Sequence, residues 1–379
     1  MKTLYIISKG YYPSTAQNNR IMAFIKGFSE LGVNLKVYYL LPNKERSKVR
    51  EEFPNVEFRY LWDYSALNNR FYILFRSILS LFRLIEKKSN IFITYIDLLL
   101  LPSFFWKKSN LFHERTEHPD EVRKSSIISD IKQRYYLNKC RSLKGLFVIS
   151  KKLKKYFVSQ GLNENNISVI NMIVDNSRFK NLNKNKEVQR YIAYCGSISL
   201  NKDGVDVLIE SFSKVVNKFT DLKLYIIGDF ISKLDEKLIL NKMSKLGIDN
   251  NVHFTGKVFY TDMPQLLKNA EALVLSRPNN KQAQYGFPTK LGEYLLTKNP
   301  VIVTRVGEID LFLENDISAL IVEAGNINDF AKKIEWVVDN QEKANKIGEN
   351  GEKVALKEFN YIIEAKKIVD IIFTDKESI

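Results

Sequence analysis

Two cysteines and three histidines in 379 residues leave little for thiol or metal chemistry to work with. Cys140 and Cys195 stand far apart, as the free buried thiols of cytosolic proteins do, and no His/Cys spacing or acidic pair suits a metal ion. No apolar run approaches the roughly 20 residues that span a bilayer. The opening MKTLYIISKGYYPS holds an apolar stretch of strand length only, without a signal cleavage site, so the chain is expected to be cytoplasmic. The G-x-G-x-x-G of a dinucleotide-binding turn is missing from both halves, which argues against an NAD or FAD enzyme. Neither a recognisable nucleic-acid module nor a basic stripe with interleaved aromatics is present, so nucleic acid is not an expected partner. Short repeats and low-complexity tracts are absent as well.

What is there is a chain too long for one ordinary core, with 45% hydrophobic and 27% charged residues, the composition of a globular protein. Its net charge of +15 is unevenly placed. Residues 1–180 hold 31 of the 58 basic and 15 of the 43 acidic residues, and the remainder is nearly neutral. One half therefore faces something anionic, such as a membrane surface or an anionic substrate, unless a Lys-rich chain simply drifts basic. Residues 68–88, with Arg70, Arg76, Arg83, Lys87 and Lys88 among Phe, Leu and Ile, read either as a helix lying on a membrane surface or as an ordinary amphipathic helix.

Short β-branched and aromatic runs alternate with segments of helical period. TLYIIS, a helix from about Gln17 to Leu31 and LKVYYL make a βαβ opening, followed by strand-like runs at 91–96, 110–113, 145–150 and 167–170. The polar stretch 181–190 reads as a linker. A second cycle of strands follows at 191–197, 222–228, 252–256, 271–276, 300–305 and 319–323. The fold class is α/β, two doubly wound parallel sheets, whose ligands bind at the carboxyl ends of strands. Expected domains are 1–180, 181–358 and a last helical segment in 359–379 that packs back on the first domain.

Two stretches in the second half suit an anion. In QYGFPTKLGEYLLTKNPVIVT a turn of Tyr285, Gly286, Phe287, Pro288 and Thr289 runs into a helix whose free N–H groups suit a diphosphate, with Lys290 close by. Glu293, in the same helix, suits ribose hydroxyls. A plain strand–loop–helix connection accounts for that segment equally well. In YCGSISLNKDGVDVLIESF, Gly196 permits close backbone approach after a strand, Ser197 offers a hydroxyl, and Lys202 reaches phosphate just before a helix starts near Gly204. Two such loops in one domain favour a nucleotide.

These pieces, with LYIIGDF, VHFTGKVFYTDMPQLLKNAEALVLSRP, NDISALIVEAGNINDFAKKI and the upstream VISKKLKKYF…ISVINMIVDNSRF, resemble the GT-B glycosyltransferases of family four, glycosyl transferases group 1, over nearly the whole chain. The resemblance implies two facing Rossmann-like domains and transfer of a sugar, with retention, from a nucleoside-diphosphate sugar to an acceptor hydroxyl. It implies that Lys202 and backbone near Gly196 and Ser197 bind donor phosphates, that backbone around Lys257 and Val258 contacts the base, and that Glu293 holds the ribose. The GFPTK loop would lie against the donor sugar and diphosphate. Two positions depart from the family: Ser197 stands where Arg is common, with Arg277 as the candidate replacement, and Tyr285 stands where the first of two paired glutamates is usual.

In the first half, Gln17, Asn18 and Arg20 follow the first strand in a loop whose family counterpart helps place acceptor and donor, although turn chemistry explains them equally. HERTEHP, 113–119, at the end of a strand, gathers His113, Glu114, Arg115, Glu117 and His118; Glu114, Arg115 and Glu117 are acceptor-binding candidates, although a capping or salt-bridge role explains Glu114 and Arg115 equally. By resemblance His113 falls where many members carry a histidine beside the transferred sugar. Catalysis is expected to rest on His113, Lys202 and Glu293, without a metal or other cofactor. UDP is the favoured donor nucleotide, and the basic half suits a lipid-linked glycan acceptor in polysaccharide or lipopolysaccharide assembly at the inner membrane face. An inactive GT-B-like scaffold and a nucleotide-sugar epimerase are the alternatives.

Overall fold

The computed structural model describes residues 2–11, 15–41, 53–61, 76, 79–81, 85, 88–96, 98, 109–119, 127–185 and 187–374. The chain forms two compact units, Met1–Ile173 with Tyr361–Ile379, and Val174–Asn360. Most of the segment 68–88, read above as a membrane-surface or amphipathic helix, lies outside the described residues.

The first unit is a seven-stranded parallel sheet: β1 Thr3–Ser8, β2 Asn34–Tyr39, β3 Glu57–Tyr60, β4 Asn90–Thr94, β5 Asn110–Arg115, β6 Gly145–Val148 and β7 Ile167–Val169, in the order β3-β2-β1-β4-β5-β6-β7. The order reverses between β1 and β4, where Ser8 pairs with Thr94. Helix α1, Ala16–Glu30, begins where the Thr15 hydroxyl accepts the Asn18 amide and supplies Ile21, Phe24 and Phe28 to the core. Helices α2, Ile127–Arg141, and α3, Lys151–Ser159, follow β5 and β6. β3, absent from the strands expected above, is a four-residue edge strand alternating Glu57 and Arg59 with Phe58 and Tyr60, too short and charged to stand out.

The second unit is a six-stranded parallel sheet: β8 Tyr191–Cys195, β9 Lys223–Ile227, β10 Val252–Gly256, β11 Leu273–Leu275, β12 Val301–Arg305 and β13 Leu320–Glu323, in the order β10-β9-β8-β11-β12-β13. Its reversal lies between β8 and β11, the place where such sheets take ligands. Strands such as Tyr191–Tyr194 and Leu273–Leu275 are wholly buried because helices cover both faces of a parallel sheet. Those helices are α4 Leu200–Asp203, α5 Val205–Ser213, α6 Lys233–Leu246, α7 Met263–Asn269, α8 Lys281–Tyr285, α9 Lys290–Leu296, α10 Ile327–Asp339 and α11 Gln341–Glu358. α10 buries Phe330, Ile334 and Val337, one face at helical spacing. Among the described residues of 181–190 no helix or strand forms.

The last helix, α12 Tyr361–Phe373, belongs to the first unit and lies along α1. Gly27 makes room for it: a Cβ there would stand 2.6 Å from that of Ala365. The Tyr361 hydroxyl donates to Glu30 at 2.9 Å, and Ala365, Ile368 and Ile372 join the core of α1 and β1.

Candidate functional site

At the carboxyl end of β8 the chain turns through Gly196 with φ +152 and enters α4, capped by the Ser199 hydroxyl on the Lys202 amide. Gly204, at φ +62, separates α4 from α5, and a Cβ there would stand 2.2 Å from the Ser276 carbonyl of the neighbouring β11 loop. The helix expected to start near Gly204 is α5, which begins at Val205, and α4 is an additional short turn before it. The Ser276 hydroxyl donates to the Gly204 carbonyl at 2.8 Å, and Asn280 donates to the Asn201 carbonyl at 2.6 Å. These bonds clamp the loops after β8 and β11 together. Arg277 is buried in that clamp, its Nε 3.5 Å from the Lys202 carbonyl and its own carbonyl taken by Thr304 at 2.7 Å.

Lys290 opens α9 and crosses to the end of β8. Its Nζ lies 2.9 Å from Asp203 Oδ1 and donates to the Tyr194 hydroxyl at 2.7 Å. Burial lowers the proton affinity of this ammonium, and the Asp203 carboxylate opposes that. One turn on, Glu293 is ion-paired with Arg178, which also donates to the Tyr260 carbonyl at 2.9 Å and lies 3.5 Å over the Tyr260 ring. Cys195 beside them is pushed up to about 12 by burial, so its thiol is no nucleophile at neutral pH.

Gly196, Lys290 and Glu293 converge on the end of β8, with Lys202 and Arg277 in the adjoining clamp. Ser197 is exposed, and its carbonyl accepts the Tyr194 hydroxyl at 2.8 Å. Lys257 and Val258 follow edge strand β10, tied to this end of the sheet through the Gly228 amide on the Gly256 carbonyl at 3.0 Å. Phe287 turns inward, its ring against Phe312 and Phe359 with centroids 5.3 and 5.4 Å away, so of Gly286–Pro288 it is backbone that remains for a ligand. Thr289 caps α9 without a side-chain bond, and Tyr285 ends α8. Arg178 and Asp203 were missed by sequence reasoning; each sits among other polar residues in a single turn of helix, and its partner lies far away in the chain.

In the first unit His113–Arg115 of HERTEHP end β5, the strand end expected, and Glu114 pairs inward because the strand is an interior one. Arg20 and Glu114, both acceptor candidates, are instead 2% and 5% exposed and bonded to each other at 2.8 Å, the salt-bridge role that was the alternative for Glu114. Arg20 also donates to the Asn171 carbonyl at 3.0 Å, and Glu114 accepts from Thr94 at 2.8 Å. Arg115 donates to the Glu117 carbonyl at 3.0 Å, and the buried His118 ring packs on Tyr156 with centroids 4.2 Å apart.

His113 is 1% exposed, and its Nδ1 lies 3.1 Å from the Ile93 carbonyl. A carbonyl only accepts, so Nδ1 carries the proton and Nε2 is left as a buried acceptor, with no hydrogen-bond partner among the described residues. Burial, aided by Arg115, pushes His113 down to about 3, which keeps it neutral. Ser8 Oγ, Gln17 Nε2 and Asn18 Oδ1 are likewise buried without a partner among the described residues. Buried polar atoms are rarely left so, and these four belong to the carboxyl ends of β1 and β5 and the first turn of α1.

Residues 175–354, most of the second unit, match the family described as glycosyl transferases group 1. The capsular polysaccharide biosynthesis glycosyltransferase CapM of Staphylococcus aureus is 28% identical over 223 residues, 55% of this chain and 56% of that protein. The poly(ribitol-phosphate) alpha-N-acetylglucosaminyltransferase of the same species is 24% identical over 255 residues, 65% of this chain and 46% of that protein. The chain thus spans about half the length of these curated relatives. Among solved structures, the Anabaena protein HepE in complex with UDP and glucose superposes with a TM-score of 0.76, covering 99% of this chain and 100% of that one at 15% identity. That likeness establishes the fold as GT-B.

Proposed function

We propose, from the premise that this chain's second unit belongs to the glycosyl transferases group 1 and the fold is GT-B, that it moves a sugar from a nucleoside-diphosphate sugar to an acceptor hydroxyl. The observation that carries the proposal is the convergence of Lys290 and the Arg178-held Glu293 on the end of β8, inside the segment that matches the family. In this reading Lys290, Lys202 and Arg277 offset the charge that grows on the departing diphosphate, the largest share of catalysis in such a transfer. Glu293 accepts the ribose hydroxyls; a carboxylate takes about four hydrogen bonds, so the Arg178 contact leaves room. Backbone at Lys257 and Val258 meets the base, and backbone from Gly286 to Thr289 meets the sugar and diphosphate. His113 Nε2 accepts a sugar hydroxyl, and Gln17 and Asn18 serve the acceptor, with the buried Arg20–Glu114 pair holding α1 and β5 in place beneath them.

UDP is the proposed nucleotide, a choice supported by the UDP bound in the Anabaena structure. Retention follows the family resemblance, and no metal is required because positive side chains do the work a divalent ion does elsewhere. The proposed acceptor is a lipid-linked glycan in surface-polysaccharide assembly, supported by the basic first half and by the relatives' names. No helix among the described residues is long and apolar enough to cross a membrane. The contact proposed is peripheral, on the cytoplasmic face, and is supported by the basic first half. The test is incubation with UDP-glucose or UDP-N-acetylglucosamine and extracted lipid-linked glycans, with the anomeric configuration of the product read by NMR. A product of retained configuration is expected. An inverted product removes the retention claim, and a 4-epimer of the donor without transfer replaces the reading with the epimerase.

A further inference from the structure

Asp203 is a buried carboxylate in a site read as binding an anion. It is 2% exposed and closes α4; Oδ1 faces Lys290, while Oδ2 is buried without a hydrogen-bond partner among the described residues. An unscreened carboxylate there repels a diphosphate, so the arrangement is tolerable for ligand binding only if its charge is absorbed by the lysine. Three elements locate that lysine. Asp203 and the Tyr194 hydroxyl take two of the three ammonium protons, Tyr194 spending its own proton on the Ser197 carbonyl. The end of the side chain fills the space that Gly196 leaves open: a Cβ on Gly196 would stand 2.1 Å from both Cε and Nζ. The third N–H is uncommitted to these partners.

We propose that Asp203 is a positioning residue that holds the Lys290 ammonium charged and in one orientation, so that its remaining N–H meets the diphosphate of the donor. The proposal rests on the sugar-transfer reading and adds to it the group that prepares the cation. The groups facing Lys290 are Tyr194 and Cys195 from β8, Asp203 from α4 and Arg277 from the β11 loop, with Lys202 beside Asp203. Burial and Arg277 both favour loss of the Lys290 proton, and Asp203 is the carboxylate that opposes them. Burial by itself raises Asp203, yet Lys290, Arg277 and Lys202 together hold it below the usual carboxylate range. Removal of that negative charge lets Lys290 lose its proton at lower pH.

The experiment reads two signals in the full chain: the pH titration of Lys290 from 13C-labelled lysine, assigned by its loss in Lys290→Met, and the Kd for UDP from pH 7 to 9. Wild type is expected to vary less than threefold in Kd, while Asp203→Asn titrates Lys290 earlier and weakens tenfold or more by pH 9. A Lys290 titration unmoved by Asp203→Asn overturns the proposal and leaves sugar transfer standing. So does a loss of UDP affinity equal at every pH, which marks a merely structural aspartate. A wild type that binds no nucleoside diphosphate removes the sugar-transfer reading and, with it, the ligand this lysine is proposed to meet. Should Asp203→Asn not fold, Lys290→Met leaves the carboxylate facing the ligand; Lys290→Met with Asp203→Ser is expected to recover about tenfold in UDP affinity. A double variant as weak as the single one or weaker refutes the account.

Discussion

Glu293 and Arg178 offer a quantitative test, because the pair is shielded enough to matter and joins two parts of the second unit 115 residues apart. Their side chains are 16% and 11% exposed, which sets them apart from surface ion pairs worth about 0–1 kcal/mol. Arg178→Met leaves Glu293 without its cation, frees the Tyr260 carbonyl and removes the stack on the Tyr260 ring. The cost of stripping one partner from a buried pair, about 3–5 kcal/mol, is an upper bound for a pair that retains this much exposure. Glu293→Gln keeps a hydrogen-bonding side chain and is expected to cost about 1–2 kcal/mol. Because the two act as a unit, the double variant should fall short of the sum by about 1–3 kcal/mol. Hydrogen exchange of the β8 and β11 amides follows this unit apart from the other. UDP affinity read on the same variants should drop about tenfold or more in each single one, the equivalent of about 1.4 kcal/mol. Additive stability effects would break the link between the residues, and UDP affinity unchanged in Glu293→Gln would remove the ribose role.

Three further outcomes are expected. His113 sits below its ordinary value of 6.5, at about 3, so below pH 6.5 the unfolded chain takes up a proton that the folded chain refuses. Stability from this group is complete above pH 6.5 and falls by up to about 1.4 kcal/mol per pH unit on acidification toward pH 3; His113→Gln should remove that part of the slope, and an identical acid slope refutes it. Arg20→Met should cost the first unit about 3–5 kcal/mol and Arg20→Met with Glu114→Gln markedly less, since the second change discharges the stranded carboxylate; urea unfolding followed through exchange of the β4 and β5 amides decides it. Transfer activity should survive EDTA, and a strict need for a divalent ion would contradict the division of labour assigned to Lys202, Arg277 and Lys290.

Much of the fold was legible because parallel sheets bury both faces, so that strands such as TLYIIS and PVIVTR stand out as short continuous apolar runs between helical periods. β3 was not, since Glu57 and Arg59 on an edge strand look like any polar loop. Of the candidate site, Lys290 and Glu293 were legible from a Gly- and Pro-bearing turn that runs into a helix. Their partners were not: Asp203 and Arg178 acquire meaning from contacts 87 and 115 residues away, which no local pattern encodes. HERTEHP drew notice for its density of ionisable groups, but density alone does not separate charges that face a ligand from charges that face each other. The strand's place inside the sheet, away from its edges, made the difference for Arg20 and Glu114, and left the His113 Nε2 as a buried acceptor without a partner among the described residues.

The most direct test of the central claim is a melting-temperature panel of UDP, GDP, ADP, TDP and NAD on wild type and Lys290→Met, since a ligand that binds only the folded state raises its melting point. The account predicts a rise with UDP that the variant loses. No rise with any nucleoside diphosphate, or a rise with NAD alone, would contradict it.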